Sequence, residues 1–344
     1  MKHRNTPRQV RLFVVTGDHH APDPTKHGSA YAAQDFETHA AMVAALQSLD
    51  RFDLEVCHDH GVLFERLTAA SPDLVVNFCD TGVFNRPSRE LNLPAWLELH
   101  DLPYTGASPQ AMAICFDKQL VRLAAQAIGV ETPREAFLPA DQSLDDLPNF
   151  YPALLKPNTG DGSVGITKDA VVRNESEASS YLDFLHRELP GADVLWQDYL
   201  PGPEYGLGLI GNPEQAITAF PPLEVDFSKL PAGANPILSF ESKTDPASPY
   251  WTEIKFRRAE LDAETKARIE EWAKKLFRRL GLRDYGRFDF RCAKDGRPRL
   301  MEVNPNPAWA NDGKLAFMAG FAGVSYPKML EMIIDAALER ISAG

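Results

Sequence analysis

Residues 285–307 of the chain read YGRFDFRCAKDGRPRLMEVNPNP, and they predict two strands joined by a tight Asp-Gly turn. With the turn centred on that dipeptide, Asp289 lies opposite Glu302 and Arg287 lies opposite Asn304. Side chains alternate along a strand, so these four are expected on one face of the hairpin. The other face is then apolar and belongs to the core, with Phe288, Phe290, Met301 and Val303.

Two carboxylates that face each other across a hairpin repel unless a cation lies between them. Asp289, Glu302 and the amide of Asn304 offer the hard oxygen ligands that Mg²⁺ binds, and Mg²⁺ completes its shell with water and substrate phosphates. Arg287 on the same face suits a phosphate oxygen. The alternative is a hairpin whose polar face is solvated and in which Arg287 balances the two acids.

The composition indicates a globular protein, with 44% hydrophobic and 24% charged residues in a chain of 344. A chain of this length predicts two or three compact units around a shared cleft. The formal net charge of -12 argues against a nucleic acid or an anionic membrane as a partner. A polyphosphate ligand would therefore need locally concentrated cations or a bound metal.

The cysteines are widely scattered and show no CxxC spacing, so neither a zinc site nor a disulfide framework is expected. They are typical of small buried side chains in a reducing compartment. The apolar run at residues 12–15 is too short for a signal peptide, and no apolar segment of membrane length follows. These features predict a cytoplasmic protein whose thiols are reduced, at Cys57, Cys79, Cys115 and Cys292.

The first third of the chain alternates strand and helix, which predicts a parallel, doubly wound sheet. Strands are expected at residues 10–16, 54–58 and 74–79, and helices at 36–49, 62–67 and 95–99. Ligands collect at the carboxyl ends of such strands, where long polar loops lie at 17–30 and 79–91.

Both loops contain residues with ligand-binding chemistry. His19, His20 and His27 in the first loop could suggest a metal, but their spacing matches no standard ligand pattern. The second loop offers charges that could hold a substrate or could be ordinary surface groups, namely Arg86, Arg89 and Glu90.

A helix is predicted over residues 111–129, with the Asp-Lys pair at 117–118 near its middle. Residues 151–168 read YPALLKPNTGDGSVGITK, in which Lys156 ends an apolar strand ahead of a loop with three glycines and Ser163. Glycine lets backbone amides approach a phosphate closely. The spacing is not that of the P-loop, and a plain glycine-rich hairpin is the alternative. A lysine within an apolar strand needs an anionic partner, however, which favours a phosphate site.

Residues 194–211 read VLWQDYLPGPEYGLGLIG and predict two strands. They could border a purine ring, with Glu204 accepting from ribose hydroxyls; the alternative is an ordinary hairpin. The remainder is predicted as strands at 215–257 around a segment that contains Lys243, an amphipathic helix at 263–280 and a closing helix at 326–341.

In this order and spacing, these segments resemble the ATP-grasp superfamily and, within it, the D-alanine:D-alanine ligase-like enzymes. The resemblance covers essentially the whole chain. The similar segments are LPYTGAS (102–108), FDK (116–118), FESKT (240–244), AGVSYPKMLEMII (322–334) and the stretches at 151–168, 194–212 and 285–307.

The resemblance implies an α/β (α+β) protein of three domains, in which a doubly wound parallel sheet precedes two α+β domains that enclose the nucleotide. The implied domains are a Rossmann-like domain at 1–106, a central lid domain at 107–195 and a C-terminal domain with the metal site at 196–344. ATP and two Mg²⁺ ions are the implied cofactors, with Mn²⁺ as an alternative metal.

Carried over position by position, the resemblance implies that Lys118 and Lys156 contact ATP phosphates and that Lys243 approaches the γ-phosphate. Arg287 stabilises the phosphorylated intermediate, and Ser163 completes the catalytic candidates. The loop around Gly162, Ser163 and Val164 closes over the phosphates. The adenine hinge is Gln197, Asp198, Tyr199 and Leu200, the ribose ligand is Glu204, and the metal ligands are Asp289, Glu302 and Asn304.

Three departures from the D-alanine ligase pattern bear on the substrates. A glutamate motif after the first strand is replaced by Asp-His-His at 18–20, a His-Gly-x-x-Gly-Glu-Asp-Gly type motif by residues 79–91, and a Thr-x-Pro-Gly-Met-Thr run by residues 305–313. Asp312 could bind an ammonium or guanidinium group, or it could cap the helix that follows. The candidate substrate residues are Asp18, His19, Arg86, Trp309 and Asp312.

The sequence therefore favours an ATP-dependent carboxylate-amine ligase that forms a peptide or amide bond through an acyl phosphate, with amino acids other than two D-alanines as substrates. The alternatives are a D-alanine:D-alanine ligase of divergent sequence and a catalytically silent nucleotide-binding module. Small-molecule carboxylates and amines are the expected partners, without nucleic acid or membrane. A homodimer is what the resemblance suggests.

Overall fold

The computed structural model of the protein describes residues 9–142, 147–160 and 162–343, and within these ranges the strands form three sheets. The first sheet is parallel, with strand order β2-β1-β3. Alternate residues of its central strand pack into different cores on the two faces, Leu12 and Val14 on one and Phe13 and Val15 on the other. The elements are β1 (Val10–Val15), α1 (Ala33–Gln47), β2 (Phe52–Cys57), α2 (Leu63–Ala70), β3 (Leu74–Asn77) and α3 (Asn92–Leu99). The predicted parallel, doubly wound sheet is confirmed.

The single helix predicted over residues 111–129 is wrong, because the chain forms two helices, α4 (Pro109–Phe116) and α5 (Lys118–Ala127). Asp117 between them is extended, with φ -90° and ψ 103°, and its carboxylate accepts from the Leu120 amide. An isolated β-bridge joins it to Thr159 in the glycine loop. This break places Lys118 in the first turn of α5, beside that loop.

The second sheet is antiparallel and has the order β4-β7-β5-β6. Asn174 caps the helix that packs on it, accepting from the Glu177 amide. The predicted domain boundary between residues 195 and 196 falls inside the strand at Val194–Asp198. The division into domains stays a prediction. The elements are β4 (Glu135–Leu138), β5 (Ala153–Pro157), β6 (Val171–Val172), α6 (Glu175–Glu188) and β7 (Val194–Asp198).

The third sheet has the order β11-β10-β8-β12-β13, with β9 paired to β8. Side chains of α5 and α9 share a core with one of its faces. The elements are β8 (Glu204–Gly211), β9 (Ile217–Ala219), β10 (Leu223–Asp226), α7 (Glu241–Thr244), α8 (Pro249–Thr252), β11 (Lys255–Arg258), α9 (Ala263–Arg279), β12 (Tyr285–Cys292), β13 (Pro298–Asn304), α10 (Lys314–Phe321) and α11 (Tyr326–Ala343). Across the described ranges, no helix combines the length and the apolar character that a membrane crossing requires.

The pairing predicted at the β12–β13 hairpin is confirmed. Asp289 lies opposite Glu302 and Arg287 lies opposite Asn304. On the other face, the aromatic and β-branched side chains are buried in the core between the sheet and α9, as predicted for Phe288, Phe290 and Val303.

One prediction for the hairpin is wrong. The strand register shifts after Asp289, so that Phe290 pairs with Leu300 and Met301 is the extra residue of a β-bulge. Leu300 is fully buried in the core position expected for Met301. Met301 instead lines the cavity on the polar side of the sheet.

Candidate active site

One cavity between the second and third sheets collects most of the residues predicted to bind a nucleotide and a metal. Its volume is about 100 Å³, which is below the several hundred Å³ of ordinary ligand pockets. Residues from the predicted sites that line it are Lys156, Ser163, Asp198, Tyr199, Leu200, Glu204, Lys243, Arg287, Asp289 and Glu302.

The acidic pair lies at the centre of a dense set of polar contacts. Arg287 donates from Nε to Oδ1 of Asp289 at 3.0 Å and from Nη2 to Oδ2 at 3.0 Å. The amide of Asn304 donates to the same carboxylate at 3.3 Å. Burial would raise the pKa of Asp289, but the charges of Arg287 and Lys314 outweigh burial and hold that pKa below its ordinary value.

Glu302 is affected by a different group of cations. Burial and the neighbouring Asp289 would raise its pKa, but Lys118, Lys156 and Arg287 together hold it below its ordinary value. Both acids are therefore ionised at neutral pH. Within the described ranges, no three His, Cys, Asp or Glu side chains lie together in a group that could hold a metal ion.

The donor set nevertheless fits a magnesium ion bound together with a phosphate-bearing ligand. Asp289 and Glu302 supply two opposed carboxylates and Asn304 supplies an amide oxygen, all on one strand pair. Mg²⁺ commonly takes one or two carboxylates from the protein and the rest of its shell from phosphates and water. Two carboxylates are enough for such a site.

Lys156 is buried at the end of β5, with 3% of its surface exposed. Burial, reinforced by the nearby charge of Arg122, lowers its pKa to about 7, although Glu302 acts in the opposite direction. These surroundings support the prediction that Lys156 needs an anionic partner. A polyphosphate beside it would favour the charged form.

Lys118 and the glycine loop are joined, since the Lys118 ammonium donates to the carbonyl oxygen of Gly160. In the same loop Ser163 Oγ donates to the Leu238 carbonyl at 3.0 Å, which ties the loop to the third sheet's side of the cavity. Gly162 has a positive φ of 70°. Among the described loop residues, the side chain of Ser163 faces the cavity, while Gly162 and Val164 are outside its lining.

The predicted adenine hinge is divided between two environments. Asp198, Tyr199 and Leu200 line the cavity. Gln197 is fully buried and is not part of the cavity lining; its side-chain amide lies 3.2 Å from Nη1 of Arg122, a contact that fits an amide oxygen accepting from the guanidinium. Only the backbone of Gln197 could therefore contact a ligand.

Glu204, the predicted ribose ligand, is paired with Arg291, whose Nη1 lies 3.1 Å from its Oε2. Arg291 also donates to the Pro236 carbonyl at 2.6 Å and lies 5.4 Å from the ring centroid of Tyr199. Arg291 was not among the residues predicted from the sequence. Strand alternation could have found it, because residues 287, 289 and 291 share one face of β12.

The first long loop closes over the glycine loop and α7. His27 Nδ1 lies 2.6 Å from the Thr244 carbonyl oxygen, next to Lys243. A Cβ placed on Gly162 would lie 3.3 Å from the Thr25 side chain. Three segments far apart in sequence thus meet at one edge of the cavity.

The five candidate substrate residues do not line the cavity. Asp18 is buried and accepts from the His20 amide at 2.8 Å, so it stabilises its own loop. Trp309 is buried and donates from Nε1 to the Phe78 carbonyl at 2.7 Å, which joins it to the first sheet. Arg86 and Asp312 are exposed. Gly313, not Asp312, is the N-cap of α10, so the capping alternative for Asp312 is wrong.

His19 belongs to an aromatic cluster and not to a group with His20 and His27. Its Nε2 lies 2.8 Å from Nδ1 of His39, and its ring stacks on His58 with centroids 4.3 Å apart. Burial and the neighbouring histidines lower the pKa of His19 to about 4, so it is neutral at physiological pH. Glu90 of the second loop is buried and accepts from Asn306 at 3.2 Å.

Two further residues of the site were missed. Lys314, the first residue of α10, lines the cavity 3.8 Å from Asp289. Arg122 is fully buried, pairs with Glu135 and reaches the carbonyl oxygen of Met301. No local sequence signal distinguishes either residue from a surface charge on a helix.

Comparison with known proteins places this site in a family. The family model described as "D-ala D-ala ligase C-terminus" matches residues 142–335. The vancomycin B-type resistance protein VanB of Enterococcus faecalis is 27% identical over 243 residues, covering 71% of this chain and 68% of its own length. D-alanine–D-alanine ligase A of Bacillus cereus is 29% identical over 267 residues, covering 77% and 81%.

A solved structure agrees over the whole length. The D-alanine–D-alanine ligase from Bacillus anthracis complexed with ATP superposes with a TM-score of 0.71 at 22% identity, covering 97% of this chain and 100% of that one. This likeness confirms the fold. The family model covers more than half of the chain and includes the acidic hairpin and the glycine loop. The chain therefore belongs to the D-alanine–D-alanine ligase family, whose members are ADP-forming ATP-grasp ligases that use ATP and Mg²⁺.

Proposed function

We propose that the protein joins an amino acid carboxylate to the amine of a second small molecule, with an acyl phosphate as the intermediate. The observation that carries this proposal is the position of the opposed acids Asp289 and Glu302 in one cavity with Lys156, Arg287 and Ser163. An ATP-dependent ligase needs cations around the transferred phosphoryl group and a means of excluding water. This cavity offers both.

Asp289, Glu302 and Asn304 would hold magnesium, and we propose two ions. Bound magnesium would neutralise charge on the β- and γ-phosphates and orient them. Arg287 now neutralises Asp289. With metal on that carboxylate, its guanidinium would be released toward the phosphoryl oxygens.

The nucleotide would lie along Asp198, Tyr199 and Leu200, with its phosphates against Lys118 and Lys156. Glu204 would accept from the ribose once its pairing with Arg291 adjusts. Lys243 would approach the γ-phosphate from α7. Two observations support this arrangement. Most of these residues line one cavity, and the nearby cations keep Asp289 and Glu302 ionised.

In the proposed reaction, a substrate carboxylate oxygen attacks the γ-phosphorus and the bond to ADP breaks. A neutral amine then attacks the acyl carbon, the bond from that carbon to the phosphate oxygen breaks, and the proton lost by the amine leaves with the phosphate as HPO4²⁻. Ser163 and the glycine loop, held by the hydrogen bond from Ser163 to the Leu238 carbonyl, would keep water from the acyl phosphate. Preplaced cations would provide most of the rate enhancement.

We propose that the substrates differ from two D-alanines. The support is the replacement of three acceptor-side motifs, at 18–20, 79–91 and 305–313, by unrelated residues. Curated relatives include a putative D-alanine–D-lactate ligase from Streptomyces coelicolor, 27% identical over 242 residues, so hydroxy acids belong in any test. The buried positions of the cysteines fit our proposal of a cytoplasmic enzyme.

The experiment is phosphate release from Mg·ATP with a panel of D- and L-amino acids, amines and hydroxy acids, singly and in pairs. We expect strong stimulation by a pair other than two D-alanines. Equal or greater stimulation by D-alanine alone would instead identify a D-alanine:D-alanine ligase of divergent sequence. Tight Mg·ATP binding with no stimulation by any pair would favour a silent nucleotide-binding module.

A further inference from the structure

Buried hydrogen bonds join the three stretches that depart from the D-alanine ligase pattern, at 18–20, 79–91 and 305–313. Asn85 of the second stretch forms the junction with the first. Its amide oxygen accepts from the backbone amide of Asp18 at 2.8 Å, and its amide nitrogen donates to the carbonyl oxygen of Asp18 at 2.7 Å. The same nitrogen donates to the Ala21 carbonyl at 3.0 Å. Asn85 thereby fixes the backbone that follows β1.

The side-chain amide of Asn85 has a full set of partners. Thr81 donates to its oxygen at 3.1 Å, so all four hydrogen-bonding positions of the amide are used. Asn85 is 1% exposed and has a positive φ of 52°, a conformation that asparagine adopts more readily than most residues. A buried amide with four partners has one favourable orientation. Asn85 therefore holds the first stretch in one position relative to the second.

Asn306 forms the junction between the second stretch and the third. Its amide nitrogen donates to Oε1 of Glu90 at 3.2 Å, and its amide oxygen accepts from the hydroxyl of Tyr285. All three side chains are buried. Trp309 adds a contact, since its indole nitrogen donates to the Phe78 carbonyl at 2.7 Å. The third stretch is thus fixed both to the first sheet and to the start of β12.

The joined stretches approach the nucleotide cavity from two directions. Asn306 lies two residues beyond Asn304, a proposed metal ligand. The loop that carries the first stretch continues to His27, whose Nδ1 lies 2.6 Å from the Thr244 carbonyl oxygen, next to the cavity residue Lys243. The joined stretches themselves lie outside the lining of that cavity. Changes within them should therefore leave the nucleotide contacts in place.

We propose that Asn85 and Asn306 are positioning residues that hold the three stretches together as one wall of the amino-acid substrate site. This inference rests on the proposed function. Neither amide contacts the substrate itself. Each acts by fixing the backbone of segments whose other groups contact the substrate, so the loss of either amide loosens all three stretches.

The test replaces each asparagine by aspartate, which has the same shape. In Asn85→Asp an oxygen then faces the carbonyls of Asp18 and Ala21, and in Asn306→Asp an oxygen faces Glu90. The KM for the amino-acid pair that best stimulates phosphate release should rise by roughly 10- to 100-fold, the range for breaking a buried hydrogen bond. Loss of substrate binding alone should leave kcat and the KM for ATP within about threefold.

A reversed pair distinguishes positioning from general destabilisation. In the double variant Asn306→Asp/Glu90→Gln, the glutamine amide can donate to the aspartate, so most of the lost substrate affinity should return. Asn149→Asp, at an exposed position outside the three stretches, is the matched control and should leave each KM unchanged. A raised KM for ATP with the amino-acid KM intact would overturn the inference, and so would the absence of recovery in the reversed pair.

Hydrogen exchange of the protein alone tests the joining without turnover, and it therefore separates this inference from the proposed function. Asn306→Asp should speed the exchange of backbone amides in all three stretches, including the Asp18 amide that donates to Asn85. Faster exchange confined to the third stretch would reject the inference even for an active ligase. Faster exchange in all three, without turnover of any substrate pair, would support the positioning role and contradict the proposed function.

A milder variant keeps the test available if an aspartate variant does not fold. Tyr285→Phe removes only the hydroxyl that donates to Asn306. It should speed exchange in the same three stretches and raise the amino-acid KM in the same direction as Asn306→Asp. Unchanged exchange and unchanged KM in Tyr285→Phe would count against the second junction.

Discussion

The guanidinium of Arg122 lies 3.4 Å from the carbonyl oxygen of Met301, and it thereby joins α5 to the bulge that precedes Glu302. Arg122 is fully buried and also forms an ion pair with Glu135. Through these contacts, a helix that begins beside the glycine loop is fixed to the strand that carries Glu302. Arg122, which lies outside the cavity lining, thus holds the bulge and Glu302 in place.

Arg122→Met should destabilise the protein by about 3–5 kcal/mol, because it leaves Glu135 buried without its partner. Urea unfolding measures the loss. The double variant Arg122→Met/Glu135→Gln should recover part of it. Arg134→Met, which removes an ion pair that is largely exposed, is the matched control and should cost about 1 kcal/mol or less. Equal losses for Arg122→Met and Arg134→Met would contradict a structural role for Arg122.

Glu302→Gln should reduce turnover by at least about 100-fold while the protein stays folded, because the amide keeps the shape of the side chain and removes the charge proposed to bind the metal. Phosphate release measures turnover, and circular dichroism checks the fold. Glu188→Gln, at an exposed position on α6, is the control for the same chemical change. Near-normal turnover of Glu302→Gln at saturating Mg²⁺ would contradict the proposed metal site.

The affinity for an ATP analogue should fall as the pH rises above about 7. The pKa of Lys156 is lowered to about 7, so this lysine is charged below pH 7 and largely neutral above it. Phosphates bind the charged form and raise its pKa, so binding above pH 7 takes up a proton. The affinity should then fall by up to about tenfold per pH unit until the pH reaches the pKa in the complex.

Calorimetry at pH 8 in two buffers of different ionisation enthalpy measures this proton uptake directly. About one proton should be bound per nucleotide by the unaltered protein. Lys156→Arg carries a permanent charge and should reduce the uptake to near zero. The same uptake in both proteins would show that another group titrates.

The bulge predicts opposite outcomes for two neighbouring residues of β13. Leu300 is fully buried in the core, so Leu300→Ala should cost about 2–5 kcal/mol in unfolding free energy and leave nucleotide affinity nearly unchanged. Met301→Ala should cost less stability but weaken nucleotide binding, since Met301 lines the cavity. Unfolding and binding measured on both variants test the register. The reverse pattern would place Met301 in the core, as strict alternation predicts.

The sequence by itself determined the features that depend on local periodicity. Alternation along residues 285–307 was enough to predict that Asp289 faces Glu302 and that Phe288 and Val303 are buried. An isolated lysine in an apolar strand was enough to identify Lys156. These inferences hold because the side-chain direction in a strand follows from the backbone alone.

Only the tertiary structure decided the features that depend on contacts between distant segments. The helix at 109–127 is broken because Asp117 pairs with Thr159, about forty residues later along the chain. Met301 lies outside the core because the bulge adds one residue to β13, and strict alternation does not predict such an extra residue. Lys314 and Arg122 are ordinary helix residues in sequence, and their roles follow only from the strands they pack against. The cavity residues on the strands were therefore predictable from local pattern, whereas Lys314 and Arg122 meet those strands only in the folded chain.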